Sequence, residues 1–103
     1  MYTVTVLYRQ PKDPAAFDSY YDNVHIPLAS RMRGLVRWTV QRVQTKDGVT
    51  SPYYMIVQLS AESEQVLRAV LDSPEGRAAA ADVPNFATGG ATFLFGEQEE
   101  LDI

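Results

Sequence analysis

The only histidine among 103 residues, His25, lies in the stretch Phe17-Asp18-Ser19-Tyr20-Tyr21-Asp22-Asn23-Val24-His25-Ile26-Pro27-Leu28. An imidazole titrates near neutral pH and can accept a proton from an activated C–H or O–H group. Tyrosines stand close by in sequence or in the strands that follow. A phenol can donate a hydrogen bond to a carbonyl or enolate oxygen. The chemistry these residue types suggest is general acid–base catalysis, with His25, Tyr8 and Tyr54 as catalytic candidates. Trp38, Met55 and Phe93 would line an apolar cleft for a flat or hydrocarbon-like molecule, with Tyr21 and Phe86 placed beside them as substrate-binding candidates. The plainer reading is that the aromatics fill the core and that the histidine snorkels to water or bonds a nearby carboxylate.

Other chemistries find little support. The chain has no cysteine, so disulfides and thiolate nucleophiles are absent. A metal site would have to combine His25 with Asp18 and Asp22; neither a metal nor any other cofactor is expected. Gly89-Gly90 is too little for a phosphate loop, and no nucleophile-elbow motif marks a serine. A net charge of −4 and a pI of about 4.8 argue against nucleic acid as a partner. No apolar run approaches the roughly 18–20 residues of a membrane span. The segment Met1-Tyr2-Thr3-Val4 runs straight into a strand without leader-like features, which fits a cytoplasmic protein. One domain over residues 1–103 is expected.

The elements that must position these residues follow from hydrophobic periodicity. Tyr2 to Tyr8 reads as a first strand, with Tyr2, Val4, Val6 and Tyr8 on one face. Asp13-Pro14 offers an N-cap followed by proline at the first helical position. At about 3.6 residues per turn, Phe17, Tyr20, Val24 and Leu28 form one apolar stripe with His25 at its edge. Pro27 lacks the N–H that would bond the Asn23 carbonyl, so the helix should loosen there and end near Gly34. Leu35 to Thr45 and Pro52 to Leu59 read as two strands joined through an Asp47-Gly48 turn. Ser60 is expected to cap a helix carrying Val66, Leu67, Val70 and Leu71. Ser73-Pro74-Glu75 restarts helix as far as Val83-Pro84, and Ala91 to Phe95 is a fourth strand.

The order βαββαβ is that of an α+β, ferredoxin-like split-βαβ sandwich, a four-stranded antiparallel sheet with helices on one face. The other face is expected to carry large apolar side chains on every strand and to be covered by a second copy of the chain. Charge is uneven: Arg31, Arg33, Arg37, Arg42 and Lys46 cluster, and the tail from Glu97 to Ile103 is acidic. The tail is read either as a solvated surface or as an arm laid on a partner subunit.

Several motifs occur together in order: Asp13-Pro14-Ala15-Ala16-Phe17, His25-Ile26-Pro27-Leu28-Ala29, Gly34-Leu35, Pro52-Tyr53-Tyr54, Ser73-Pro74-Glu75-Gly76, and Ala81-Asp82-Val83-Pro84-Asn85-Phe86. In these the chain resembles the EthD-like family of the dimeric α/β-barrel superfamily over nearly its full length. It departs at Arg33, where the family commonly has proline, and at Glu62, where it often has phenylalanine. The resemblance implies a homodimer whose sheets pack back to back, and a pocket between the first helix and the sheet of each subunit. It also implies the histidine of the His-x-Pro motif, here His25, as the usual acid–base group.

The functional expectation is a small cofactor-independent enzyme of isomerase, cyclase, lyase or oxygenase type. It would act on a small hydrophobic or aromatic carbonyl-containing substrate. The alternative is a non-catalytic small-molecule-binding or accessory protein of a degradation or biosynthetic pathway. A haem protein with His25 as axial ligand is a third class. An Asp22 or Asp82 carboxylate within reach of His25 would favour the enzyme.

Overall fold

The computed structural model describes residues 1–103. Strand β1 (Tyr2–Arg9) is followed by helix α1 (Pro14–Tyr20), a π-helical turn (Tyr21–His25) and helix α2 (Ile26–Ala29). Strands β2 (Arg37–Arg42) and β3 (Tyr53–Ala61) come next, then helices α3 (Glu64–Asp72) and α4 (Pro74–Asp82). A 3-10 turn (Val83–Asn85) leads to strand β4 (Ala91–Glu97). The sheet order is β2-β3-β1-β4 with every neighbouring pair antiparallel, which is the expected α+β ferredoxin-like arrangement. No helix is long and apolar enough to cross a membrane.

The core lies between the sheet and the helices. Val4, Val6 and Tyr8 of β1 face Met55, Val57 and Leu59 of β3 across the ladder, and all six are buried. Phe17, Leu67, Val70 and Ala79 close the layer from the helical side. Helices α3 and α4 share Ser73, which ends one and caps the next by accepting a hydrogen bond from the Gly76 amide at 3.1 Å. Only glycine fits at position 76, because a Cβ there would lie 2.2 Å from the Val70 carbonyl oxygen.

Four expectations are corrected by the structure. The first concerns the helix that carries His25. Its buried residues are Phe17, Tyr21, His25 and Ala29, four apart throughout, whereas Val24 is 43% exposed. The π turn, in which the Ile26 amide bonds the Tyr21 carbonyl five residues back, rotates the stripe by one residue. Pro27 makes this cheap, since it has no N–H to lose. The second concerns strand β3. It runs on through Ser60 and Ala61, paired with Thr3 and Tyr2, so the α3 cap falls to Ser63, which accepts from the Val66 amide at 3.2 Å.

The third concerns the sheet face away from the helices. The register places Trp38 and Val40 opposite Leu59 and Val57 on the core side, so β2 offers that outer face only Arg37, Thr39 and Gln41. Apolar side chains there are confined to Leu7, Ile56 and Leu94, set among Thr3, Thr5 and Gln58. The fourth concerns Tyr54. The β1–β3 register slips between Tyr8 and Arg9, so Tyr54 has no partner on β1 and leaves strict alternation. Its ring packs edge-on against Phe17 at 5.1 Å, on the helical side.

Candidate functional site

The π turn delivers His25 into the layer between helices and sheet, where the residue is only 6% exposed. Its Nδ1 lies 3.0 Å from Asp82 Oδ2. Asp82 is the last residue of α4, and its position follows from two punctuating residues. Ser73 fixes where the helix begins. Pro84 has no N–H to continue it, and the chain tightens into the 3-10 turn. That turn brings Asn85 back over the carboxylate, so that Asn85 Nδ2 donates to Asp82 Oδ1 at 3.0 Å. The Tyr20 hydroxyl donates to the same oxygen at 2.6 Å.

The Asp82 carboxylate therefore takes three hydrogen bonds in a buried position. Burial alone would raise its pKa. The bonds from Tyr20, His25 and Asn85 outweigh that and hold it below the ordinary 3.8. A carboxylate ionised at neutral pH and facing Nδ1 fixes the proton of the neutral imidazole on Nδ1 and leaves Nε2 as the basic lone pair. The ring itself is held by Phe86, whose centroid is 4.7 Å away, and by Tyr21 at 5.3 Å.

His25 lines a cavity of about 340 Å³ between the sheet and helices α2 and α4. The sheet contributes Val4, Val6, Tyr8, Val57, Leu59, Trp38, Phe93 and Phe95, and the helical side contributes Tyr21, Ala29, Met32, Leu71, Gly76, Ala79, Ala80 and Val83. Fifteen of the seventeen lining residues are hydrophobic, so a ligand is recognised mainly by shape, with a few polar atoms to orient it. Those atoms can be identified. Trp38 Nε1 is the one buried side-chain polar atom without a hydrogen-bond partner. His25 Nε2 and the hydroxyls of Tyr8 and Tyr21 also bond to nothing in the chain, so each touches open space. The Tyr8 hydroxyl is pushed far above the ordinary phenol value, chiefly by burial, then by Tyr21 and Asp82. It is a neutral donor at any physiological pH.

Of the residues singled out by sequence, His25, Tyr8, Tyr21, Trp38 and Phe93 meet at this cavity. Tyr54, Met55 and Phe86 do not line it. The Tyr54 hydroxyl donates to the Asp18 carboxylate at 2.8 and 2.9 Å. Burial and that carboxylate raise its pKa. Met55 is fully buried, with its sulfur 3.8 Å from Arg42 Nη1. Phe86 stands behind the imidazole. Asp18 and Asp22 turn to Arg42, at 3.6 and 3.3 Å, and no three His, Cys, Asp or Glu side chains converge as a metal-ligand set. Tyr20 and Asn85 were not singled out as partners of Asp82. The signal for Asn85 lay in the Asp82-Val83-Pro84-Asn85 spacing, where proline forces a tight turn.

A conserved-domain description for the EthD domain matches residues 9–90. The chain belongs to the EthD domain family. An 11.0 kDa protein of Rhodococcus erythropolis, described as uncharacterized and encoded in a thcB-thcC intergenic region, is 42% identical over 101 residues, covering 98% of each chain. The crystal structure of an ethyl tert-butyl ether D (EthD) family protein from Bacillus halodurans is 30% identical. It superposes with a TM-score of 0.89 over 96% of this chain and 99% of that one. At 17% identity, SnoaB, a cofactor-independent oxygenase from Streptomyces nogalater, has the same fold, with a TM-score of 0.66 over 97% of this chain and 93% of that one. The segments His25-Ile26-Pro27 and Asp82-Val83-Pro84-Asn85-Phe86, both within the matched residues, are the two halves of the hydrogen-bonded unit described above.

Proposed function

We propose that this EthD-family protein is a small cofactor-independent enzyme that uses His25 as general base, and then as general acid, on a small hydrophobic or aromatic carbonyl compound. The observation that carries the reading is the Asp82–His25 pair. A buried carboxylate with three donors orients an imidazole whose free nitrogen opens onto an otherwise apolar cavity. A purely binding role gives such an oriented base nothing to do. In the reaction, Nε2 takes a proton from carbon next to the carbonyl, Asp82 steadies the imidazolium, and a hydroxyl from Tyr8 or Tyr21 donates to the enolate oxygen. Returning the proton to a different atom gives isomerisation; attack of the enolate carbon on a second carbonyl of the same molecule, whose oxygen takes the electron pair and the proton from the imidazolium, gives cyclisation. The protein would work as a homodimer, with the outer sheet face and its Leu7, Ile56 and Leu94 turned toward a second copy.

The test is hydrogen–deuterium exchange at the methyl group of acetophenone in D2O, followed by NMR. The wild type should accelerate exchange, and His25→Gln should lose about 10²–10⁴-fold of that acceleration, the usual contribution of acid–base catalysis. Full exchange activity in His25→Gln would remove the role assigned to the imidazole.

A further inference from the structure

Two parts of the surface find no partner within the chain. One is the tail that follows β4. Beyond Glu97 it belongs to no strand or helix, and Leu101 and Ile103 are the two most exposed large apolar side chains of the protein. Glu99, Glu100 and Asp102 stand beside them, and none of the three meets a cation within ion-pair distance. The other is the edge of the sheet at β2. This strand is the last on its side, so one row of its backbone N–H and C=O groups is unpaired. Val36 and Val40 are exposed along it. Arg33 turns to the carbonyls of Ser30, Arg31 and Met32, but the exposed Arg31 and Arg37 face no carboxylate.

The sheet register relates the two places. Arg37, Ser60, Thr3 and Gly96 stand side by side across the four strands. The tail starts from this row. The Gln98 amide donates to the Met1 carbonyl at 2.8 Å, and the Thr3 hydroxyl donates to Gln98 Oε1 at 3.4 Å. Thr3 belongs to the outer sheet face, so the tail leaves β4 on that side, three strand spacings or about 14 Å from Arg37 of its own chain. In the homodimer proposed above, that gap is closed to it, because packed sheets lie only about 10 Å apart and leave no room for a strand between them. A two-fold axis running along the strands reverses the order β2-β3-β1-β4 in the second copy. It lays β4 of one chain over β2 of the other, with the two ends of the Arg37 row together. Residues 99–103, which reach at most about 17 Å when extended, then begin beside the β2 edge of the second copy.

We infer that residues 99–103 are an arm that docks on the β2 edge of a second copy of this chain. Its carboxylates meet Arg31 and Arg37, and its Leu101 and Ile103 cover Val36 and Val40. The charges, the aliphatic side chains and the open strand edge on one side complement those on the other, and by symmetry each contact occurs twice in the dimer. The inference rests on the homodimer and adds to it a contact outside the sheet faces.

The chain has no cysteine, so cross-linking can be read from introduced ones. Full-length protein carrying Leu101→Cys is exchanged with a size-tagged chain carrying Val36→Cys or Val40→Cys and treated with a short bis-maleimide. Both pairs should give a cross-linked heterodimer. Val49→Cys, in the loop beyond the other end of β2, should give little. Leu101→Cys and Val40→Cys placed in one chain, then exchanged into excess wild type, should give no intramolecular link. By sedimentation equilibrium, Leu101→Ser with Ile103→Ser should weaken the dimer at least tenfold, since four aliphatic side chains lose their cover. Arg37→Glu should weaken it roughly three- to tenfold, and adding Glu99→Arg and Glu100→Arg should restore it. An intramolecular link, or a yield with Val49→Cys equal to that with Val40→Cys, overturns the arm. So does a dimer that ignores the changes at 101 and 103, or one that the reversed charges fail to restore. A monomeric wild type overturns the arm and the homodimer together, whereas a dimer indifferent to residues 99–103 overturns the arm alone.

Discussion

Replacing Asp82 with asparagine should reverse the tautomer of His25 while leaving its ring in place. The argument is one of acceptor geometry. Two donors, the Tyr20 hydroxyl at 2.6 Å and Asn85 Nδ2 at 3.0 Å, converge on Oδ1. In Asp82→Asn the amide oxygen must stay on that side, because turning it would oppose two donors with a third. The amide NH2 then faces Nδ1 of His25, which becomes an acceptor, and the imidazole proton moves to Nε2. A hydrogen bond to a charged group contributes roughly 1.5–3 kcal/mol, so the carboxylate favours the Nδ1–H form about ten- to a hundredfold. The nitrogen that opens onto the cavity changes from base to donor, and a rate loss of about 10⁴ is the known scale for this error in a histidine base. The assay needs no substrate. With a single histidine, long-range proton–nitrogen NMR reads both ring nitrogens without assignment. With the imidazole neutral, the wild type should show Nδ1 protonated, and the variant Nε2 protonated. A wild-type spectrum with the proton on Nε2, or an unchanged spectrum in Asp82→Asn, would refute the reasoning.

Three further outcomes are expected. Because the Asp82 pKa is lowered on folding, the stability it confers is complete above the ordinary carboxyl value of 3.8 and disappears as pH falls through the lower folded value; the gap between wild type and Asp82→Asn in urea titrations should therefore be wide at pH 6 and narrow in strong acid. Phe86→Ala removes a ring that touches Tyr8, Phe17, Tyr20, Tyr21 and His25 and should cost about 3–5 kcal/mol in denaturant titrations, the usual range for a buried phenylalanine. Light scattering should give a dimer mass for the wild type and a monomer mass for Leu7→Lys combined with Leu94→Lys.

Much of this architecture was legible in the residues. Alternation in Tyr2–Tyr8 and Tyr53–Leu59, the Asp13 and Ser73 caps, and the βαββαβ order suffice for the topology, because each rests on a local rule. His25 was legible as the sole imidazole beside a helix irregularity. The facing of the helix was not, since the 3.6-residue wheel puts Val24 inside and His25 at the edge, whereas a π turn changes the period and buries His25. Strand alternation sets Tyr54 on the face of Ile56 and Gln58, opposite Met55, and the register slip between Tyr8 and Arg9 turns it to the helical side instead, where it bonds Asp18. Strand β3 was cut short at Ser60 because serine is a familiar cap, yet Ser60 is buried and its hydroxyl meets that of Thr3 at 2.8 Å. The assembly around Asp82 joins residues 57 positions apart, and only the packing of α4 against α2 brings them together.

The π turn also has a consequence for how this helix can change in length. A π turn is an α-helix with one residue too many, and its exposed side here is Asp22, Asn23 and Val24. Removing one of these would leave His25 seven residues after Phe17, about two full turns of an unbroken α-helix, and so still on the buried face. The extra residue is therefore carried wholly on the solvent side, between two buried rings. Within its lineage, a length change of one residue at this place would alter the exposed surface of the helix and keep the His25–Asp82 pair.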